Sequence, residues 1–252
     1  MPRFLALLLC VVGLPLAAAD YVVLVSKETK ADPGWAKVVD RLQTKYQAQV
    51  LTYQADVLEC QTALRQAQPR WVCWVARPVE LGTKSAYAIH QLARDNDSDP
   101  YEDFQWGIIT GRTAELALKL AAPAEPLTIR KVGASTAFAS DCVQSGYWFS
   151  EFKAGEVWVK DGTPLAVKGQ GAADSTESIV QRLNESLTDC FITSGHASET
   201  EWQPGYRYRN GIFTHRDGVL VGKSLDGKIH EVRSPNPKVY LAVGNCLIGN
   251  VP

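Results

Sequence analysis

Neither sign of charge prevails in this sequence, where 26 Lys and Arg stand against 27 Asp and Glu, and no basic cluster interrupts the balance. The electrostatic footprint of a nucleic-acid-binding protein is therefore absent. Missing too is any apolar run of about 20 residues, which argues against membrane insertion. No internal repeat or low-complexity tract appears, and no C-x-x-C or His/Cys spacing suggests a zinc site. No cofactor or metal is expected. What remains is a chain of 252 residues, 46% of them hydrophobic, enough for an ordinary globular core.

Residues 1–19 read as an export signal of bacterial type. Arg3 supplies positive charge, Phe4 to Leu16 form a short apolar block, and Ala17-Ala18-Ala19 offers small residues for cleavage. The mature chain is expected to begin near Asp20 and to be secreted, periplasmic or held at the cell surface. It keeps Cys60, Cys73, Cys142, Cys190 and Cys246. An odd number leaves at least one thiol unpaired, while the other four suit either disulfides or free core positions.

Hydrophobic patterning predicts an α/β protein. Tyr21 to Val25 reads as a strand buried on both faces. A helix capped by Asp32, with Pro33 in its first turn, carries Trp35, Val38, Val39, Leu42 and Tyr46 at helical spacing. Val50 to Tyr53 is a second strand; Val57, Cys60, Leu64 and Ala67 trace another helix; Trp71 to Ala76 is a third strand. Helices at Ser85 to Arg94 and Thr113 to Ala121 bracket a strand at Trp106 to Thr110. This alternation implies a mainly parallel sheet covered on both faces. Further strands are expected at Leu127 to Val132, Cys190 to Thr193 and Val239 to Val243. Val157 to Val159 with Asp161-Gly162 suggests a hairpin, and Arg216-Asp217-Gly218 and Asp226-Gly227 suggest two more turns. Asp174 and Glu177 are spaced as a capping box for a helix running to about Leu187.

Two segments carry chemistry. Ser194-Gly195-His196-Ala197 and Gly244-Asn245-Cys246 each follow a predicted strand. Ligand crevices in open α/β sheets lie beyond the carboxyl ends of strands, so neighbouring strands would bring His196 and Cys246 to one rim. A thiol beside an imidazole becomes a nucleophile, and the imidazole can return the proton to a leaving amine. The backbone N–H groups of Ala197 and Cys246 are candidate oxyanion donors. Taken singly, each has a bland reading: a histidine after a strand is more often a hydrogen-bonded surface residue, and a lone cysteine a small core residue. Only their joint placement favours catalysis. His90, His215 and His230 have no comparable setting. Candidate acids for orienting His196 are Glu199, Asp141 and Glu151, the last two being alternatively specificity groups for a basic side chain. Asp95, Asp97 and Asp99 read as a solvated acidic loop rather than a calcium site.

The block Gly195-His196-Ala197-Ser198-Glu199-Thr200-Glu201-Trp202 resembles the G-H-G-S-E-T-x-W block of gingipain-type cysteine peptidases. Leu241 to Gly249 looks like their strand-then-cysteine block, with C-x-x-G at Cys246 to Gly249. Asp99-Pro100-Tyr101 through Gly107 to Gly111-Arg112-Thr113-Ala114-Glu115 is similar to their segment ahead of the catalytic half. The resemblance implies a caspase-like three-layer sandwich in which residues 20–252 form one catalytic domain. It also implies a Cys246/His196 dyad that cleaves peptide bonds in proteins or peptides. Two positions depart from the family's pattern: Ala197 replaces a usual glycine, and Asn245 stands where some members have a second cysteine. The chain stops at Pro252, so the domain is expected to be incomplete at its C-terminus. The alternative expectation is a catalytically degenerate binding or surface-assembly module on the same fold. Acyl transfer to an amine instead of water would use the same residues.

Overall fold

In the computed structural model, residues 20–185, 188–236 and 238–247 are described. The expected export signal at 1–19, Leu187 at the expected helix end and Gly249 of the C-x-x-G spacing lie outside the described residues. The chain divides into two compact units between Ala124 and Glu125.

The first unit grows from β1 (Tyr21–Ser26), whose Val22, Val23, Leu24 and Val25 are fully buried. After α1 (Lys27–Ala31), the side chain of Asp32 accepts from Gly34 N and Trp35 N and so starts α2 (Pro33–Tyr46), as its spacing predicts. β2 (Gln49–Tyr53), α3 (Gln61–Ala67), β3 (Trp71–Val75), α4 (Thr83–Arg94), β4 (Gln105–Ile109) and α5 (Ala114–Ala121) follow. The helix expected from Val57 begins instead as a 3-10 turn over Val57–Cys60. There the Asp56 side chain accepts from Leu58 N and the Glu59 carboxylate accepts from the backbone of Gln54, Ala55 and Asp56.

All strand pairs in this unit are parallel, in the order β2-β1-β3-β4. Alternate residues of β1 serve opposite cores. Val22 and Leu24 pack with Leu64, Ile89 and Leu92, while Val23 and Val25 pack with Trp35, Val38, Leu42 and Ala117. Helices therefore cover both faces, giving three layers, and each fully buried aliphatic side chain contributes about 1.5–3 kcal/mol.

The second unit contains β5 (Lys131–Ala134), β6 (Ser145–Phe149), β7 (Glu156–Asp161), β8 (Val167–Gln170), α6 (Thr176–Asn184), β9 (Cys190–Ala197), β10 (Trp202–Pro204), β11 (Ile212–Arg216), β12 (Val219–Lys223), β13 (Ile229–Glu231) and β14 (Val239–Asn245). Its ten strands run in the order β13-β12-β11-β10-β9-β5-β6-β7-β8, with β14 also on β9. Here the expectation of a mainly parallel sheet is corrected. Only β5–β6, β5–β9 and β9–β14 are parallel, and the other six pairs are antiparallel. The cause is local: the turns that the sequence signals are too short to cross over and can only reverse the chain. Asp217 (φ 52°) and Gly218 (φ 77°) form one such two-residue turn.

β5 starts later than expected because Leu127 and Ile129 stay exposed, and the Asp189 carboxylate accepts from Arg130 N and Lys131 N at the strand's edge. On one face of the sheet, α6 buries Ile179, Val180 and Leu183 against Tyr147, Phe149, Phe191, Trp202 and Phe213. Among the described residues, no helix is long and apolar enough to cross a membrane.

The capping box expected at Asp174 and Glu177 is not formed. The residue at the helix N-cap is Ser175, and Asp174 serves a wider purpose. Its carboxylate accepts from Thr176 N (3.0 Å), Thr176 Oγ1 (2.6 Å), Gly211 N (3.3 Å) and Leu225 N (2.7 Å), joining α6 to the residues before β11 and after β12. Burial pushes this carboxyl's pKa up, but the hydrogen bonds from Leu225, Thr176 and Gly211 together outweigh it and leave it below the ordinary value. A carboxyl depressed in the folded state adds stability above its unfolded pKa of about 3.9, and that contribution disappears as pH falls through the folded value. Asp174→Asn is therefore expected to cost on the order of 1–3 kcal/mol at pH 7. It should also flatten the loss of stability on going below about pH 4. Urea unfolding of both proteins at neutral and acid pH measures this; equal acid sensitivity would contradict it.

Candidate active site

His196 lies within β9, not beyond it. The strand outruns its expected end at Thr193 because β10 pairs with its last three residues, Gly195 with Pro204, His196 with Gln203 and Ala197 with Trp202. Gly195 has φ +132°, and a Cβ there would stand 2.2 Å from the Gln203 carbonyl oxygen. The glycine before the histidine is thus required by the approach of β10.

β14 runs parallel to β9, with Val239 opposite Cys190 through Ala242 opposite Thr193. The register then slips, so that Asn245 instead of Gly244 stands opposite Gly195. One extra residue has been accommodated at Val243–Gly244, where Gly244 takes φ +68°. The consequence falls one position further on: Cys246 follows Asn245 as His196 follows Gly195. The strand pairing ends at Asn245, and Cys246 is the first residue beyond β14. Cys246 and His196 are both exposed, at the same end of adjacent strands. Leu247, immediately after the cysteine, holds a left-handed φ of 56°, a conformation that costs a residue with a side chain about 1–2 kcal/mol.

All five described cysteines are free thiols. Burial pushes Cys60 and Cys73 up to about 11 and raises Cys190, which keeps these three protonated and unreactive. Cys142 and Cys246 are exposed.

The His196 ring is placed by Tyr206. Its Nε2 lies 3.3 Å from the Tyr206 carbonyl oxygen, and the two rings stack with centroids 5.7 Å apart. A carbonyl only accepts, so this contact places the proton on Nε2 and leaves the Nδ1 lone pair available. Tyr206 N and Arg207 N in turn donate to the Glu151 carbonyl, at 2.8 and 3.1 Å. Glu151, considered from sequence as an orienting acid, thus reaches the histidine through its backbone. Asp141 is exposed in the 3-10 turn Ser140–Cys142, and Glu199 is exposed in the turn between β9 and β10. Two of the other three histidines serve elsewhere: His90 pairs with Glu102 at 2.9 Å, and His230 accepts or donates at Ser224 Oγ at 2.8 Å.

Ala197 sits in extended strand backbone, where alanine fits as well as glycine. Ser198 N donates to the Glu201 carbonyl, which makes Ala197 and Trp202 a non-hydrogen-bonded pair of the ladder. The N–H of Ala197 consequently points away from β10.

Asn245 is buried between these strands. Its amide lies 3.1 Å from Thr193 Oγ1; with the amide turned so that each atom meets a complementary group, its two N–H hydrogens are shared among Thr193 Oγ1, the Thr193 carbonyl (3.0 Å) and the Val243 carbonyl (3.2 Å), and its oxygen accepts from Trp202 Nε1 (3.0 Å). From sequence this residue registered only as the lack of a second cysteine; its signal was an amide closing an apolar strand. Tyr206 carried no comparable signal, because only the folded chain brings it to the histidine.

A scan against family models finds no match to this chain, and a search of curated proteins also finds none.

Asn245→Ala leaves Trp202 Nε1 its bond to the Ser194 carbonyl (3.2 Å) but removes the amide partner of Thr193 Oγ1, and is expected to lower stability in urea unfolding by about 1–3 kcal/mol. Gly195→Ala forces a Cβ into backbone and should unfold the β9–β10 pairing more severely than Gly227→Ala, where the space is open. Both variants have positive φ at the substituted site, so the difference in thermal midpoint between them isolates the clash; equal midpoints would contradict the close approach of β10.

Proposed function

We propose that this protein is a cysteine endopeptidase of the gingipain type on a caspase-like core, with Cys246 as nucleophile and His196 as its proton-transfer partner. The observation that supports the reading is the parallel pairing of β14 with β9, which brings the end of β14, one residue before Cys246, opposite Gly195, one residue before His196. In this mechanism the Cys246 thiol gives its proton to His196 Nδ1 and attacks the substrate carbonyl carbon. The carbonyl oxygen becomes an oxyanion, for which the N–H groups of Ala197 and Cys246 are the donors. Collapse breaks the C–N bond as His196 delivers the proton to the leaving amine, and water then hydrolyses the thioacyl-enzyme. Tyr206 keeps Nε2 protonated throughout the first transfer by accepting its hydrogen bond. Proteins or peptides on the outer side of the exporting membrane are the proposed substrates, consistent with the export signal read in residues 1–19. In this reading the Tyr206 carbonyl orients Nε2, and Glu199, Asp141 and Glu151 are the candidate acids for a further orienting or specificity role.

The competing reading, an inactive binding or surface-assembly module, shares the fold but needs no reactive thiolate. Cys142 provides an internal standard, since it is also exposed but has no place in the mechanism. Iodoacetamide at neutral pH is expected to label Cys246 roughly tenfold faster than Cys142, and His196→Ala should erase the difference. Cys246→Ala should abolish peptide cleavage with the thermal midpoint unchanged. Equal labelling of the two thiols, or cleavage surviving in Cys246→Ala, would remove the assignment.

A further inference from the structure

Two large aromatic side chains stand in solvent next to His196. Phe152 is 58% exposed and Tyr206 56% exposed, with ring centroids 6.3 Å apart and edge to face. Tyr206 stacks on His196 at 5.7 Å, so the three rings form a continuous ladder, His196 against Tyr206 and Tyr206 against Phe152.

The ladder is rigidly mounted. Ser150 Oγ accepts from Phe152 N (3.2 Å) and Lys153 N (3.1 Å), which fixes the turn bearing Phe152. The Glu151 carbonyl accepts from Tyr206 N and Arg207 N, and Tyr208 Oη donates to the Ser150 carbonyl at 2.7 Å. Gly205, at φ +87°, lets the chain pass under the Tyr208 ring, where a Cβ would come within 2.9 Å. Two loops far apart in sequence are thereby clamped together so that two apolar rings face water. Leaving such area exposed forgoes hydrophobic stabilisation, and rigid exposed aromatics are the usual anchors of recognition surfaces.

Resting on the peptidase reading above, we infer that Phe152 and Tyr206 form the specificity wall of the site and select an aromatic or long aliphatic substrate side chain. The position follows from length. Centroid steps of 5.7 and 6.3 Å lead from His196 to Tyr206 and on to Phe152. An extended peptide advances about 3.3–3.6 Å per residue, so two such steps reach no further than about four residues, and the selected side chain lies within that span of the scissile bond. The Arg207 guanidinium lies over the outer ring, 5.7 Å from the Phe152 centroid, and closes one face of it. The open faces remain apolar, which favours an uncharged side chain over an acidic one.

The test uses peptides identical except for Phe, Leu, Ala or Asp at each of the four positions to either side of the cleaved bond. The wild-type chain is expected to prefer Phe over Ala by about tenfold or more in kcat/KM at one position. In Phe152→Ala that ratio should fall to about threefold or less, while Phe152→Trp retains it; an effect on folding alone would lower both peptides together and leave the ratio intact. Preference for Asp would assign the site to Arg207 and overturn the inference, as would a Phe/Ala ratio unchanged in Phe152→Ala. Failure to cleave any peptide, with Cys246 alkylated no faster than Cys142, overturns the peptidase reading and this inference with it. Cleavage without aromatic preference overturns this inference alone.

Discussion

The Asn245 amide lies buried where β14 ends, bonded to both Thr193 and Val243 and receiving the Trp202 indole N–H. Through these contacts one side chain ties β14 to β9 and β9 to β10. The slip of one residue in β14 would otherwise be weakly determined, since the edge strand has exposed side chains at Tyr240, Leu241 and Val243 and little packing to hold a register. An amide that must satisfy donors and acceptors in low dielectric tolerates no neighbouring register. The pairing of Asn245 with Gly195 at the end of β14 is therefore held by a polar contact as well as by packing.

Unusual backbone collects around the same place. Gly195, Gly244 and Leu247 all have positive φ within a few residues of the histidine or the cysteine. Among the described residues of the first unit, by contrast, only Gln47 and Gln68 at helix ends do so. Strain of this kind persists only where surrounding structure over-determines it, and here β10, the bulge and the Asn245 amide supply that determination.

The two units use different means to place side chains. Parallel strands in the first need helical crossovers, so its residues are committed to two cores on either side of β1. Antiparallel hairpins in the second leave short loops free of core duty. Those loops deliver Tyr206 and Phe152 to the end of β9, where a parallel crossover would have placed a helix. Asp174 supports this arrangement from below by fixing α6 to the ends of β11 and β12.

What the sequence by itself determined was local. Periodicity located β1 to β4 and α2 to α5 of the first unit and β5, β7, β9, β14 and α6 of the second but not β6, β8 or β10, Asp32 and Pro33 marked the start of α2, and Asp217-Gly218 marked a hairpin. These depend on neighbours within a few residues, which the sequence states directly. It did not determine that the second sheet is mostly antiparallel, that Asp174 ties three segments instead of capping one helix, or that a carbonyl of Tyr206 holds the histidine. Each of those is a pairing between residues distant along the chain: 174 with 225, 206 with 196, 245 with 193. Only the tertiary structure decided them, because hydrogen bonds are chosen by which groups meet once the cores have closed, and sequence spacing carries no record of that meeting.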